Sequence, residues 1–468
     1  MIDGLKPYPE YKDSGVAWLG EVPGHWEVLR LKYVLRERDA RSDSGTEQLL
    51  RVSQYTGVTE RKRADGLDEP DTRAESLVGY KQVEPGELVV NIMLAWNGSM
   101  AVSSHAGITS PAYCVYRFGA SAEPWYFHHL LRSPIYKARI KAVSTGVVES
   151  RLRLYTDDLY RLQAALPPID EQSAIVRFLD HADRRVWRYI RAKQKLIKLL
   201  EEQKQAIIHR AVTRGLDPDV RLKPSGVEWL RDVPEHWEVH KLKRMGEVRI
   251  GLTYSPSDVS GEGTLVLRAS NIKNGRIVSA DNVFVSRSVP QALLVAEDDI
   301  LICVRSGSRN LVGKSARISR EFAGVTYGAF MSLLRSESNA FIYWVLNSNL
   351  MPSVMSQFET STINQLTQSD LRNLLIPVPP TNEQTKIVAY LTSATAEIDA
   401  TIASTTREIS LLHEYRTRLI ADVVTGKLDV RAAAASLPEE TEAAPDDAEP
   451  LAEDEDLTDE TAAEEAEV

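Results

Sequence analysis

Residues 14–28 have the sequence SGVAWLGEVPGHWEV, and residues 225–239 repeat it as SGVEWLRDVPEHWEV, 211 positions later. Two further segments recur at almost the same distance. IDEQSAIVRFL at 169–179 returns as TNEQTKIVAYL at 381–391, and AIIHRAVTRGLD at 206–217 returns as RLIADVVTGKLD at 418–429. Three matches at one spacing indicate an internal duplication, so the fold is built from two related halves.

Each half has the same order of features. An entry segment ending in HWEV is followed by a region of short strand signals, then by a Pro-Pro pair, then by a long stretch with helical periodicity. This order predicts an α+β protein with two globular domains of mixed α/β type at 1–168 and 215–380. Long spacer helices are predicted at 169–214 and 381–430, and a disordered acidic tail at 431–468.

Apolar residues in both long helices follow steps of three, four and seven, and neither 169–214 nor 381–425 contains Pro or Gly. Such a seam on a polar helix needs a partner helix, and the best partner for each helix is the other. The alternative is two surface helices, each packed on its own domain. The predicted seams are Ile175, Phe178, Ala182, Tyr189, Leu196, Leu200, Gln203 and Ile207, and Ile387, Tyr390, Ala394, Ile398, Ile402, Ile409, Leu412 and Leu419.

The start of the chain resembles the segment that follows the first helix, because GLKP at 4–7 matches GLDP at 215–218. The N-terminal segment therefore continues the path of the second helix. If helix one runs from the first domain to the second, helix two runs back. This predicts an antiparallel two-helix coiled coil with a globular domain at each end and a pseudo-twofold relation between the halves.

The net charge of −10 comes from the C-terminal tail. Residues 437–468 hold 15 acidic and no basic residues, so the rest of the chain holds 56 basic against 51 acidic residues, a net charge of about +5. A mildly basic body is compatible with nucleic-acid binding. The two cysteines, Cys114 and Cys303, and the lack of a long apolar run predict a cytoplasmic protein without disulfides or a membrane span.

The two globular regions align with each other in short strands but diverge between them. Leu50–Gln54 matches Leu267–Asn271 and Pro85–Val90 matches Glu297–Ile302, whereas TERKRADGLDEPDTRAE at 59–75 has no counterpart. One scaffold with two different sets of loops suits a protein that recognises two different half-sites.

Base edges are recognised by Arg, Lys, Asn, Gln and Ser side chains on loops and strand ends, with aromatic residues for contact. Asn97 and Arg309 are the strongest candidates because each follows a buried strand. For any single residue a solvated surface role is the more common alternative. The candidates in the first region are Arg51, Gln54, Tyr55, Arg61, Lys62, Arg63, Trp96, Asn97 and Ser99. Those in the second region are Arg268, Asn271, Lys273, Arg305, Ser306, Arg309, Asn310, Lys314 and Tyr327.

The motifs that could indicate catalysis each lack residues or spacings that the corresponding site requires. GSRNLVGKS at 307–315 has five residues between its glycines where a phosphate-binding loop has four, so we predict a hairpin turn there. The Pro-Pro pairs lack the flanking residues of a methyltransferase motif. Glu202-Gln203-Lys204 lies on a predicted helix without a nearby Pro-Asp. His25 and His236 recur within HWEV, which favours a structural role, and no metal-ligand cluster is evident.

The complete pattern resembles the specificity subunit of type I restriction–modification enzymes. The resemblance covers residues 1–430. It depends on VPGHWEV and VPEHWEV, on STINQLTQSDLRNLLIPVPPTNEQTKIVAYL, and on its weaker twin VVESRLRLYTDDLYRLQAALPPIDEQSAIVRFL. The twin departs from the pattern, with VVESRLRL in place of STINQL.

The resemblance implies two target-recognition domains, each reading one part of a split, asymmetric site in double-stranded DNA. It implies helices that fix the spacing and bind two modification subunits, which carry S-adenosylmethionine and methylate adenine. A restriction subunit would add ATP- and Mg-dependent translocation and cleavage. This chain is then expected to bind no cofactor and to have no catalytic site. Two alternatives stay open: a nuclease or methyltransferase acting alone, and a coiled-coil scaffold that does not bind DNA.

Overall fold

A computed structural model of the protein describes residues 5–61, 74, 76–148, 151–306, 311–357 and 365–438. The chain forms two compact units. Unit 1 comprises Met1–Gln194 and Arg407–Val468, and unit 2 comprises Lys195–Thr406. Both boundaries fall within the long helices, so each long helix contributes one part to each unit.

The first half of the chain contains twelve strands and four helices among its described residues. Its strands are β1 Tyr11–Asp13, β2 Glu21–Pro23, β3 Glu27–Arg30, β4 Leu35–Arg38, β5 Leu50–Ser53, β6 Gly57–Glu60, β7 Lys81–Val83, β8 Leu88–Val90, β9 Met100–Val102, β10 Gly107–Thr109, β11 Cys114–Phe118 and β12 Gln163–Leu166. Its helices are α1 Pro124–Leu131, α2 Pro134–Val143, α3 Thr156–Arg161 and α4 Ile169–Arg214.

The second half contains fourteen strands and six helices among its described residues. Its strands are β13 Leu222–Pro224, β14 Asp232–Pro234, β15 Glu238–Lys241, β16 Glu247–Ile250, β17 Val259–Ser260, β18 Thr264–Leu267, β19 Ile272–Lys273, β20 Arg276–Ile277, β21 Val283–Val285, β22 Ile300–Cys303, β23 Ser315–Arg317, β24 Thr326–Tyr327, β25 Met331–Arg335 and β26 Leu375–Val378. Its helices are α5 Leu242–Met245, α6 Asn339–Leu346, α7 Leu350–Gln357, α8 Gln368–Asn373, α9 Thr381–Val424 and α10 Arg431–Ala435.

The strand pairing confirms the duplication. In unit 1, β1 pairs with β2, β3 with β12, and a four-stranded sheet has the order β4-β11-β8-β9. Unit 2 repeats these pairings as β13 with β14, β15 with β26, and the series β16-β25-β22-β23. Unit 2 extends this series by β20 and β19 and adds a sheet of order β17-β21-β18-β24. The α+β class predicted from the sequence is confirmed.

The tryptophan of each HWEV segment packs against the glycine that ends a long helix. Gly426 follows α9 with φ 78°, and a Cβ there would lie 3.2 Å from the Trp26 ring and 2.4 Å from Cδ of Pro23. In unit 2, Gly215 follows α4 with φ 75°, and a Cβ there would lie 3.3 Å from the Trp237 ring. A left-handed glycine ends a helix without a steric penalty, and here its missing side chain also makes room for the indole.

The glutamate of each Pro-Pro-x-x-Glu-Gln segment binds the histidine of HWEV in its own unit. The His25 Nε2 atom lies 2.7 Å from Oε2 of Glu171, and the His236 Nε2 atom lies 2.8 Å from Oε2 of Glu383. Glu171 also accepts hydrogen bonds from the Trp26 indole, at 3.0 Å, and from the Tyr8 hydroxyl, at 2.7 Å. These contacts agree with the structural role predicted for the two histidines.

The long helices run antiparallel within each unit. In unit 1, Asp183 of α4 pairs with Arg416 of α9, and Lys193 pairs with Glu408. In unit 2, Lys204 of α4 pairs with Asp399 of α9. As α4 advances along the sequence its partners recede, as an antiparallel pair requires. The predicted pair of long helices is confirmed.

The predicted seam of α4 is wrong over its middle. Tyr189 is 54% exposed, Leu196 is 43% exposed and Gln203 is also exposed. The buried positions after Ala182 are instead Val186 and Ile190. From Ala182 the buried positions follow two steps of four residues and reach Ile190, one residue beyond the Tyr189 that a strict seven-residue repeat predicts. The shift arises because an α-helix has 3.6 and not 3.5 residues per turn.

The ends of the described chain meet in unit 1. The Asp429 amide donates to the Lys6 carbonyl at 2.8 Å, which places the N-terminal segment beside the end of α9, as the repeat predicts. Helix α9 ends at Val424, six residues before the end of the predicted spacer. The predicted tail begins too early, because α10 is folded and its Ala434 is buried in the core. Residues 439–468 lie outside the described chain.

Candidate nucleic-acid interface

Each unit holds a fully buried strand, β8 or β22, from which a loop leads to the next strand of the sheet. A buried carboxylate precedes each strand. Glu87 accepts a hydrogen bond from Nε of Arg117 at 2.7 Å, and Asp299 accepts one from Nε of Arg335 at 2.8 Å. The Asp299 carboxylate raises the pKa of Arg335 through this bond. The two units therefore anchor the start of β8 and of β22 to the neighbouring strand in the same way, although the loops that follow these strands differ in sequence.

The β8–β9 loop of unit 1 contains Trp96 and Asn97 in one turn of 3-10 helix. The side-chain oxygen of Asn97 accepts from the Ser99 amide at 3.1 Å and from the Ser99 hydroxyl at 2.8 Å. The Trp96 indole donates to the Met93 carbonyl at 3.1 Å. Within the described chain the Asn97 side-chain NH2 has no recorded partner, so it can donate to an acceptor on a base edge.

The β5–β6 turn of unit 1 presents Gln54 and Tyr55, and the Tyr55 side chain is 47% exposed. The neighbouring Arg51, on β5, donates through Nε to the Thr59 hydroxyl at 3.4 Å. Arg61 follows β6, is partly exposed, and donates its amide to the Leu49 carbonyl. The candidates Lys62 and Arg63 lie outside the described residues.

Arg132, between α1 and α2, was not predicted from the sequence, and it connects the β5–β6 turn with the start of β9. Its guanidinium donates to the carbonyls of Gln54 at 2.8 Å, Tyr55 at 3.0 Å and Met100 at 3.1 Å. Burial, with a smaller effect from the Arg416 charge, lowers the pKa of Arg132 to about 10. An Arg between two short helices carries no sequence signal for this role, because the partners are main-chain carbonyls distant in sequence.

In unit 2, Arg268 donates to the Asp281 carboxylate at 2.6 Å, so its guanidinium is paired within the unit. Lys273 on β19 is exposed. Arg305, which follows Val304 at the end of β22, is exposed and lies 5.2 Å from the centroid of the Phe330 ring, which is itself 58% exposed. Arg305 and Phe330 together form a candidate surface for contact with DNA. Only Arg305 was among the candidates predicted from the sequence.

Strands β22 and β23 pair antiparallel, which agrees with a hairpin between them, and residues 307–310 of the connection lie outside the described residues. Ile302 pairs with Ser315 in antiparallel register, and the Gly313 amide donates to the Cys303 carbonyl at 2.8 Å. Lys314 is exposed at its end, and Ser306 is partly exposed at its start. The candidates Arg309 and Asn310 lie outside the described residues.

Three candidates are corrected by their burial. Ser99 is 1% exposed, and Asn271 and Tyr327 are fully buried. Asn271 donates to the carbonyls of Val278 and Ala280, at 3.2 and 2.7 Å, and thus holds a loop. A side chain enclosed by its own domain cannot contact a base edge in this conformation, so these three residues stabilise the scaffold.

The described residues contain no group of three or more His, Cys, Asp or Glu side chains placed to hold a metal ion. No helix in the same part of the chain is long and apolar enough to cross a membrane.

Residues 234–409 match the family model described as the type I restriction modification DNA specificity domain. The chain is 24% identical over 447 residues to the putative type I restriction enzyme MjaX specificity subunit of Methanocaldococcus jannaschii, a match that covers 88% of this chain and 96% of the relative. It is 29% identical over 205 residues to the EcoKI specificity subunit of Escherichia coli K12, covering 42% of this chain and 44% of the relative.

One similar solved structure comes from a study titled as the structural basis of complex assembly and conformational transition of the type I R-M system. The TM-score is 0.64 at 21% identity, over 87% of this chain and 99% of that one. At this identity the match shows that the fold is shared.

Proposed function

Since the chain belongs to the family of type I restriction–modification specificity subunits, we propose that it recognises a split DNA site, with one half-site read by each unit. The observation that carries this proposal is the pair of equivalent sheets with different loops. Glu87 with Arg117 and Asp299 with Arg335 support the same scaffold, whereas the loops after β8 and β22 differ in sequence and length.

The surfaces of these loops have the chemistry that base recognition needs. Unit 1 offers the Asn97 amide group, Gln54 and the exposed Tyr55 ring, and unit 2 offers Arg305 with Phe330. Amide groups and Arg pair with adenine and guanine edges in the major groove, and aromatic rings contact thymine methyl groups. The remaining surface candidates, Arg51, Arg61, Lys273, Ser306 and Lys314, are part of the same proposal.

We further propose, from the family, that this chain supplies specificity and that its partners supply the chemistry. Two modification subunits would bind the long helices and carry S-adenosylmethionine. Restriction subunits would carry ATP and Mg. The lone chain is then expected to transfer no methyl group to DNA.

The direct experiment is DNA binding by the full chain assembled with its modification subunits, followed at increasing salt concentration. We expect tight binding to a duplex that carries the methylated motif, identified by methylome sequencing of the host with and without this chain. Binding should weaken as salt rises, because contacts to phosphates release counterions. A complex that forms but binds no DNA would support the scaffold alternative. Methyl transfer by the chain alone would support a self-sufficient enzyme.

A further inference from the structure

The part of helix α4 that belongs to unit 1 has a basic face opposite its buried seam. Arg177, Arg184, Arg188 and Arg191 follow one another at steps of seven, four and three residues, so they lie on one side of the helix. At about 100° per residue, this side points away from the buried seam at Val186. Arg188 is exposed and the other three arginines are partly exposed.

This stretch of α4 carries a net positive charge. Residues 177–194 hold six Lys or Arg residues and two acidic residues. Asp183 pairs with Arg416 of α9, and Asp180 lies 3.9 Å from Nε2 of His129. Both carboxylates therefore already lie beside basic side chains, and the arginines of the basic face remain in excess.

The pKa of His181, on the same side of the helix, responds to this charge. Partial burial lowers the pKa from its ordinary value of 6.5, and the charges of Arg185, Arg184 and Arg188 lower it further. Like charges held this close disfavour one another, so an anionic ligand on the basic face would be stabilised.

The described chain ends at one end of the basic face. Nη2 of Arg177 donates to the carbonyl of Leu437 at 2.8 Å and to that of Pro438 at 3.2 Å, and Pro438 is the last described residue. The next 30 residues, 439–468, contain 15 acidic residues and no basic residue. From Arg177 to Arg191 the face is about 21 Å long, a distance that about seven extended residues cover. The acidic segment is therefore attached beside the basic face and is long enough to reach all of it.

We propose that the acidic tail, residues 439–468, binds to the basic face of α4 in the same chain. This contact is independent of base recognition and goes beyond the proposed function. Attachment at Pro438 gives the tail an effective concentration of about millimolar at the face, so ion pairs that are individually weak at an exposed surface hold it there. The bound tail covers arginines that otherwise attract other polyanions, and it thus limits nonspecific binding to unit 1.

The test compares the full chain with a chain that ends at Pro438, which keeps every described residue. A fluorescent peptide of residues 439–468 is titrated with each protein at low salt. We expect the peptide to bind the shortened chain, and to bind the full chain about tenfold more weakly or less, because the attached tail occupies the face. Binding to the shortened chain should weaken as the salt concentration rises from about 0.01 to 0.15 M, since salt screens exposed charges.

Two double variants of the shortened chain locate the contact. Arg185→Gln with Arg188→Gln removes two charges that act on His181, and should weaken binding of the peptide about tenfold. Lys32→Gln with Arg36→Gln removes two exposed charges elsewhere in unit 1 and should leave binding nearly unchanged. Thermal unfolding verifies that each protein is folded.

Three results would contradict the proposal. A peptide that does not bind the shortened chain would leave the face to another partner, such as DNA phosphates or an acidic protein surface. Equal binding to the full and shortened chains would show that the attached tail does not occupy the face. Equal weakening in the two double variants would assign binding to the overall charge of unit 1 and not to α4. None of these results bears on the proposed function, which DNA binding by the assembled complex tests separately.

Discussion

At the scale of single residues, the position of a candidate was predictable but its exposure was not. Asn97 and Ser99 both follow a buried strand, and both are of residue types that contact bases. The structure separates them, because the Ser99 hydroxyl is turned inward to donate to the Asn97 side-chain oxygen. Sequence spacing on a loop has no fixed period, so it cannot say which of two neighbouring polar side chains faces solvent.

The contacts of Arg132 with the main chain were also not predictable from the sequence. Its contacts with Gln54 and Tyr55 link residues 78 and 77 positions apart, and its contact with Met100 links residues 32 positions apart. Main-chain carbonyls accept hydrogen bonds whatever their side chain, so no pair of residue types marks such a contact in a sequence. Only the folded arrangement of the β5–β6 turn, β9 and α1 brings the three carbonyls to one guanidinium.

His128 gives a prediction for the dependence of stability on pH. Its Nδ1 atom accepts a hydrogen bond from the Val102 amide at 3.3 Å, and burial, aided by the Arg132 charge, lowers its pKa well below the ordinary value of 6.5. In the unfolded chain the imidazole titrates near 6.5. Below that pH the unfolded state binds more protons than the folded state, so the free energy of unfolding decreases as the pH falls.

Denaturant titrations at neutral pH and at about one to two units lower measure this effect. His128→Asn can keep an acceptor for the Val102 amide but cannot be protonated, so the loss of stability between the two pH values should shrink. His105→Asn, at a partly exposed histidine of the same unit, is the matched control and should shrink it less. An unchanged loss in His128→Asn would assign the pH dependence to other groups.

At the scale of elements, the sequence predicted the long helices because their apolar periodicity continues over many turns. In α9 the predicted seam residues Ile387, Ile398 and Leu419 are buried, whereas in α4 the phase of the seam was predicted correctly only from Ile175 to Ala182. Farther along α4 the small difference between 3.5 and 3.6 residues per turn accumulates, so Tyr189 and Leu196 face solvent. The repeated HWEV turn was visible as a motif, but its contact with a helix-ending glycine was not.

A substitution at Gly426, just after α9, tests the contact between this glycine and the HWEV turn. Gly426→Ala adds a Cβ that would lie 2.4 Å from Cδ of Pro23, in a backbone conformation with φ 78°. Gly86→Ala adds a Cβ at a similar φ of 86° with no atom within 4 Å. We expect Gly86→Ala to cost about 1 kcal/mol in the free energy of unfolding, from backbone strain alone. Gly426→Ala should cost clearly more, about 2 kcal/mol or above, because Pro23 and Trp26 must also move.

Chemical denaturation of both variants measures the difference. Equal losses of stability would show that the glycine is needed for its backbone conformation and not for the space it leaves to Trp26.

At the scale of the whole molecule, the acidic tail is predicted to be dispensable for recognition. Carboxylates repel phosphates, so the tail should not contact DNA. The cut belongs after Pro438, because Arg177 donates to the carbonyls of Leu437 at 2.8 Å and Pro438 at 3.2 Å. The truncated chain should direct methylation to the same motif, as methylome sequencing would show. A changed motif would assign the tail a part in recognition.

The central claim is that each unit reads its half-site independently on a shared scaffold. The structure suggests where to exchange the units, since the Leu31 amide donates to the Leu162 carbonyl and the Leu242 amide donates to the Leu374 carbonyl, both at 2.8 Å. Each hydrogen-bonded pair marks the two ends of the region to be exchanged. The neighbouring strand pairs β3–β12 and β15–β26 are retained. Replacing residues 31–162 with a copy of 242–374 therefore gives a chain with two copies of the second recognition surface.

Methylome sequencing of a host that carries this chimera, with its modification subunits, is the most direct measurement. The account predicts a methylated motif in which both half-sites are those read by unit 2 in the unaltered protein. The reciprocal chimera, with 31–162 in place of 242–374, should give two copies of the other half-site. A methylated motif that keeps both original half-sites, or that contains a half-site found in neither unit, would contradict independent recognition by the two units.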